Sequence, residues 1–169
     1  MIVGLGNVGK QPKSFEFAFK PNEIDLDEGT RLTGKTVFAG KISRDGTRTH
    51  VRGSITTDVE IDCVRCLGPV DKKISVEFED IFVDAIGEPE ADEIELGVEN
   101  LDESFITGDE IDMAEVVREQ LILATDENVL CTEDCKGLCP KCGGNRNLID
   151  CKCEENAVDP RWAALKNLN

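Results

Sequence analysis

Six of the chain's eight cysteines lie within 23 residues, Cys131 to Cys153, in the run CTEDCKGLCPKCGGNRNLIDCKC. The gaps between them are three, three, two, eight and one residues. Sulfur at this density restricts what the segment can become. Thiolates bind soft divalent metals tightly, and four of them close a tetrahedron, so no disulfide framework is needed to explain the spacing. At the centre stands Leu138-Cys139-Pro140-Lys141-Cys142-Gly143-Gly144. Two cysteines flanking a two-residue turn aim both sulfurs at one ion, and Gly143 suits the positive φ in which such a turn ends. Cys139 and Cys142 are therefore the surest ligands. Cys131 and Cys135 stand four apart, as on one helical turn, and can converge on the same ion. Cys151 and Cys153 are the other pair. If extended, Cys-x-Cys sends its side chains to opposite faces, which leaves one of the two idle. Any four of the six make a closed site, structural rather than catalytic.

A second pair, Cys63-Val64-Arg65-Cys66, follows a strand-like run and precedes Leu67-Gly68-Pro69. Three readings stay open: half of a second metal site, a redox pair, or a turn with buried thiols. Redox pairs open helices in βαβ settings, and here β structure lies on both sides. By arithmetic, eight thiols fill two four-sulfur sites if Cys63 and Cys66 join Cys151 and Cys153. Zinc is the default metal. Iron is less favoured, because a rubredoxin-like site needs two Cys-x2-Cys-Gly knuckles, and Cys66 is followed by Leu67 instead of glycine.

Charge narrows the partners. The net charge is −16, from 19 Lys and Arg against 35 Asp and Glu. Such a balance opposes general nucleic-acid binding, which needs cations for phosphates. It is also uneven: Glu77 to Glu119 holds 17 acidic residues and one cation, Arg118. Between Lys136 and Lys152, however, four cations (Lys136, Lys141, Arg146 and Lys152) face one anion, Asp150. The acidic run reads as a solvated face or as a surface for a basic partner. The four cations are the candidates for contact with RNA. The start of the chain shows no secretory pattern, and Leu121-Ile122-Leu123-Ala124 is too short to span a membrane. The expectation is a soluble cytoplasmic protein with reduced thiols.

Alternation marks the strands. Phe15, Phe17 and Phe19 share one face of residues 14–20. Residues 35–43 and 47–62 form two further strands around Arg44-Asp45-Gly46-Thr47, where Asp-Gly favours a hairpin turn. Residues 71–84 alternate through Ile74, Val76, Phe78 and Phe82. An acidic connection with one short strand spans 85–110. Asp112 then caps a helix carrying Met113, Val116, Val117, Gln120, Leu121 and Leu123-Ala124, with Glu115 placed for a capping box. A short last helix opens at Asp159-Pro160, with Trp162, Leu165 and Leu168 on one side.

Two features suggest chemistry and fail to support it. Gly4-Leu5-Gly6-Asn7-Val8-Gly9 matches a dinucleotide fingerprint, yet only three residues precede it and Pro12 breaks any following helix. His50 is the only histidine, and neither a catalytic triad nor an acid–base pair can be assembled around it. The expectation is that the protein is not an enzyme.

The ensemble is more specific than its parts. Cys-Val-Arg-Cys-Leu at 63–67, the acidic middle, a helix ending Leu121-Ile122-Leu123-Ala124, then Cys131 to Gly143, Cys151-Lys152-Cys153 and the terminal DPRWAALKNL run together resemble the YceD family of large ribosomal RNA subunit accumulation proteins. The resemblance implies a non-enzymatic factor in accumulation or processing of large-subunit ribosomal RNA, with metal-binding character. It implies ribosomal RNA precursors or basic ribosomal proteins as partners. Carried over, Cys63, Arg65 and Cys66 form the first motif and the six later cysteines the second. The expected fold is α+β: an antiparallel sheet, curved or closed into a small barrel, in residues 1–130, with a covering helix. A zinc-binding segment and a short helix follow in 131–169. The rival readings are an acidic protein adaptor without RNA contact and a thiol redox protein.

Overall fold

The computed structural model describes residues 1–85, 103–153 and Arg161. The elements run β1 (Ile2–Gly4), a 3-10 turn (Leu5–Asn7), β2 (Lys13–Phe19), β3 (Thr30–Leu32), β4 (Thr36–Asp45), β5 (Arg48–Asp62), β6 (Pro69–Asp84), β7 (Glu103–Ile106), β8 (Glu110–Asp112) and α1 (Met113–Ala124). The terminal helix expected from Asp159, with Trp162, Leu165 and Leu168, lies outside the described residues, as does most of the acidic connection.

The main sheet has the order β2-β4-β5-β6-β7, with β3 paired to the far end of β5. Its spine is the β5–β6 ladder, from Arg48↔Val83 to Asp62↔Pro69. The four long strands fall where alternation put them. Inward on one face point Phe15, Phe17 and Phe19 of β2, Phe38 and Ile42 of β4, Val51, Ile55 and Val59 of β5, and Ile74, Val76, Phe78 and Phe82 of β6. Burying each large apolar side chain fully contributes about 1.5–3 kcal/mol, so this face is the main source of stability. Gly40 and Gly53 sit opposite one another in the β4–β5 ladder. The Phe38 ring lies across both: a Cβ at either glycine would stand 2.6 Å from it. The ring then stacks on Phe17, with centroids 5.9 Å apart.

Three expectations need correction. Among the described residues the sheet is not closed into a barrel: β2 and β7 are its two ends. It is not wholly antiparallel either, because β7 pairs with β6 in parallel. The chain reaches β7 through the long acidic connection, which permits the parallel return that a tight hairpin forbids. At the β4–β5 hairpin the two central residues are Gly46 and Thr47, between paired Asp45 and Arg48. Positive φ falls on Gly46 alone, at 64°.

The first residues form structure that sequence reading did not foresee. β1 pairs with β8 through Ile2↔Asp112, Val3↔Ile111 and Gly4↔Glu110. This small sheet buries Val3, Leu5 and Ile111. Helix α1 leaves it directly. The Asp112 carboxylate caps it by accepting the Ala114 N–H at 2.9 Å, as expected. Glu115 lies 3.6 Å from Arg118 instead of completing a capping box. The helix buries Met113, Val116, Val117 and Leu121 against β6 and β1, whereas Leu123 is 78% exposed. The end of α1 and the β5–β6 turn come together at one end of the sheet, where the thiols gather.

Candidate metal centre

The eight thiols form two groups of four. Cys63, Cys66, Cys131 and Cys135 make one, and Cys139, Cys142, Cys151 and Cys153 the other; within each group the sulfur atoms lie within 4.8 Å of one another. No disulfide joins them. In the first group Cys63 and Cys135 Sγ are 3.8 Å apart, and Cys66 and Cys131 Sγ are 3.6 Å apart. A zinc–sulfur bond of about 2.3 Å in a tetrahedron requires sulfur separations of about 3.8 Å. A disulfide needs about 2.05 Å. The spacing is that of a thiolate shell around one ion.

Two turns of the same kind build the two groups. In the first, the Cys63 N–H donates to Gly68 O and the Leu67 N–H to Cys63 O, each at 2.8 Å. In the second, the Cys139 N–H donates to Gly144 O and the Gly143 N–H to Cys139 O, again at 2.8 Å. The residue after the second cysteine is left-handed in both: Leu67 has φ 56° and Gly143 φ 70°. The missing glycine after Cys66 therefore does not prevent a knuckle there; leucine is held in the glycine conformation. Each knuckle has its own distal pair. This grouping differs from both pairings the sequence offered: Cys131 and Cys135 gather with Cys63 and Cys66, and Cys151 and Cys153 with Cys139 and Cys142. Neither thiol of the Cys-x-Cys pair points away from its group, because residues 151–153 are irregular, not extended strand.

The thiols are unequal before any metal is considered. Burial pushes the Cys63 thiol up, but N–H groups of Cys131, Cys66 and Arg65 aimed at its sulfur bring it down to about 6. The Cys142 and Lys141 N–H groups and the Cys151 thiol bring Cys139 down to about 6. Their neighbours resist. Cys131 is pushed up to about 12 by sharing protons with Cys135 and Cys66. Cys153 is pushed up to about 12 by Cys142 and Cys139. Each group thus holds at least one thiol pulled below its ordinary value. Like-charge crowding opposes full ionisation unless a cation joins them.

The two groups are tied together. Asn147, from the second, donates through Nδ2 to Cys135 Sγ of the first at 3.2 Å, and its Oδ1 accepts the Lys136 N–H at 2.8 Å. That donation lowers the Cys135 thiol. Arg65 Nη1 donates to Cys135 O at 3.0 Å, and the Leu138 N–H donates to Arg65 O at 3.0 Å. Gly137, with φ 72°, lies against Arg65, where a Cβ would stand 3.0 Å from Arg65 O. The role of Asn147 had no signal in the sequence beyond its place in the cysteine-rich run.

Lys136, Lys141, Arg146 and Lys152 are all exposed. Lys136 and Arg146 line one cleft with Asn147 and Asp150; Lys141 and Lys152 are not part of it. His50 lies on the sheet, away from the thiols, with Nδ1 3.8 Å from Glu79. No helix among the described residues is long and apolar enough to cross a membrane.

Comparison with known proteins places these features. An uncharacterized protein of Mycobacterium tuberculosis is 27% identical over 124 residues, covering 68% of this chain and 53% of that protein. The chain thus spans about half the length of its mycobacterial relatives. The uncharacterized protein YlbN of Bacillus subtilis is 25% identical over 169 residues, 99% of this chain and 94% of its own. A chloroplastic protein of Arabidopsis thaliana named large ribosomal RNA subunit accumulation protein YCED homolog 1 is 36% identical over 59 residues, 35% of this chain and 18% of its own. No solved structure matches significantly. The family model described as large ribosomal RNA subunit accumulation protein YceD matches residues 51–169, a stretch that holds both knuckles and all eight cysteines, and the chain belongs to that family.

Proposed function

We propose that this protein is a non-enzymatic factor in the accumulation of large-subunit ribosomal RNA, held in shape by two structural zinc ions. The pairing of two four-sulfur groups, tied by Asn147 to Cys135 and by the Leu138 N–H to Arg65 O, carries the reading. Four thiolates leave a zinc ion no open position for a substrate, so its contribution is to fold the segment. The eight cysteines being free thiols suits a reducing compartment such as the cytoplasm.

Family membership supports the RNA pathway, and the charge distribution supports the division of labour. The acidic body suits basic ribosomal proteins, while Lys136, Lys141, Arg146 and Lys152 are placed to meet RNA phosphates. Native mass spectrometry of the reduced protein should find two zinc ions per chain. Depletion in the source cell should lower large-subunit ribosomal RNA relative to small-subunit RNA. Reversing the four cations together should weaken co-sedimentation with large-subunit precursors. Binding of basic proteins that survives nuclease, with co-sedimentation untouched by the reversals, would favour the adaptor reading instead.

A further inference from the structure

The first knuckle carries a leucine where the second carries a glycine. Both follow the same backbone path. The second makes it with Gly143, which adopts positive φ without a side-chain clash. The first makes it with Leu67, a residue that pays a steric penalty there and is still 63% exposed. Val64, at the tip of the same turn, is 50% exposed. Neither side chain serves the core. A strained, solvent-facing leucine where glycine would fold more easily calls for a use outside the chain.

Val64 and Leu67 border a cleft of about 570 Å³ between β3, the knuckle and the end of α1, where Leu26 and Ile122 add apolar surface. The charged side chains lining it are all acidic: Asp27, Glu28, Asp62, Asp126 and Glu127. Two are partly satisfied, since Asp62 accepts from Arg31 at 2.6 Å and Asp27 lies 3.7 Å from Arg118. Glu28, Asp126 and Glu127 enter no ion pair among the described residues. The rim repels phosphates, so a nucleic acid is the wrong occupant. An apolar floor under a carboxylate rim fits a polypeptide that alternates cations with an aliphatic side chain.

We propose that this cleft is a docking site for a lysine- or arginine-rich protein segment, anchored by an aliphatic residue against Leu67 and Val64. The proposal deepens the reading of a factor that engages basic ribosomal proteins, and rests on it for the partner's biological source. Because Val64 and Leu67 are carried by the knuckle that runs from Cys63 to Leu67, metal binding at the first group would fix the apolar side of the cleft.

The test uses the full zinc-loaded chain, isotope-labelled for NMR, and three probes. These are a dodecamer of Lys-Lys-Leu repeats, a lysine dodecamer, and a single-stranded RNA dodecamer. The Lys-Lys-Leu peptide should give saturable shifts in residues 26–30, 61–67 and 122–127, and bind more tightly than the lysine peptide. Leu67→Gly should weaken it about tenfold while leaving zinc content and melting temperature no lower. The pair Asp126→Lys and Glu127→Lys should weaken it further, whereas Glu16→Lys with Glu77→Lys, on the opposite face of the sheet, should weaken it less. Shifts elsewhere, equal binding of the lysine peptide, unchanged affinity in Leu67→Gly, or RNA shifting the cleft residues would each overturn the proposal. RNA levels after depletion test the larger reading separately. Normal levels would sink that reading without emptying the cleft, and an empty cleft leaves the RNA phenotype standing.

Discussion

The two knuckles turn on single residues. Gly143 sits at φ 70°, and its N–H closes the turn onto Cys139 O. An added Cβ meets no atom within 4 Å there, so only backbone strain penalises it. That strain is about 1–2 kcal/mol, roughly tenfold in an equilibrium constant. Gly143→Ala should therefore weaken zinc binding at the second group about tenfold, read by competition with a chromophoric chelator, while the first group is unaffected. Leu67→Gly runs the opposite way: stability should stay level or rise by up to about 1 kcal/mol in urea unfolding, because released strain offsets the flexibility of glycine. A loss of stability there would mean that Leu67 has a packing role its exposure does not suggest. Gly143 was legible in the sequence because glycine advertises positive φ. Leu67 was not, since a leucine gives no sign that its neighbours force it left-handed.

At the scale of elements, the sheet was legible wherever one face is buried and the other wet. Phe15, Phe17 and Phe19, and Ile74, Val76 and Phe78, alternate because β geometry places every second side chain on the core. β1 was not legible, and for the short strand expected within 85–110, where β7 lies, the parallel pairing was not: a three-residue strand leaves too little pattern, and both pairings are decided by partners far along the chain. The facing glycines Gly40 and Gly53 also have a meaning only their register reveals. Gly40→Ala places a methyl 2.6 Å from the Phe38 ring and 2.8 Å from Gly53 Cα, besides pressing on the Arg52 carbonyl. Overpacking of this kind should cost about 1–3 kcal/mol, measurable by urea unfolding. Under α1 the apolar pattern is interrupted by a carboxylate. Asp80 lies opposite Val51 in the ladder, and Gln120 donates to both its oxygens at 3.2 and 3.1 Å. Burial raises Asp80, and burial with Glu115 and Asp80 nearby raises Glu119. Raised carboxyls bind protons more tightly folded than unfolded. They therefore favour folding when protonated, and stability falls as pH climbs from the ordinary carboxylate range through their raised values. Asp80→Asn should be more stable than the parent at neutral pH, and the gap should shrink below about pH 4, where Asp80 is protonated in both states. A gap of the same size at both pH values would remove the burial argument.

For the whole molecule, the sequence marked every thiol and could not sort them. Cys131, Cys135, Cys139 and Cys142 are consecutive in the chain, yet the fold splits them, because the sheet delivers Cys63 and Cys66 beside Cys131 and Cys135. No local spacing rule contains that delivery. The consequence is two centres of different depth. Cys63, Cys66 and Cys135 are buried and only Cys131 is exposed, whereas in the second group Cys142 is exposed and Cys151 and Cys153 are half-buried. The first is anchored on the β5–β6 ladder, the second on the first. With zinc in both, a chelator should remove one ion quickly and the other slowly, the fast one from the second group. Cys142→Ser should abolish the fast phase and leave the slow one. Cys63→Ser should disturb both, since loss of the first centre frees the support on which the second rests. The link itself is testable at Asn147, whose amide holds Cys135 from the other side of the boundary. Outer hydrogen bonds to metal ligands carry about 10–100-fold in metal affinity. Asn147→Ala should therefore speed the slow phase as well as the fast one. If Asn147→Ala changes only the fast phase, the two centres are neighbours without coupling, and the segment from Cys131 to Cys153 is not the single metal-stapled unit that its hydrogen bonds describe.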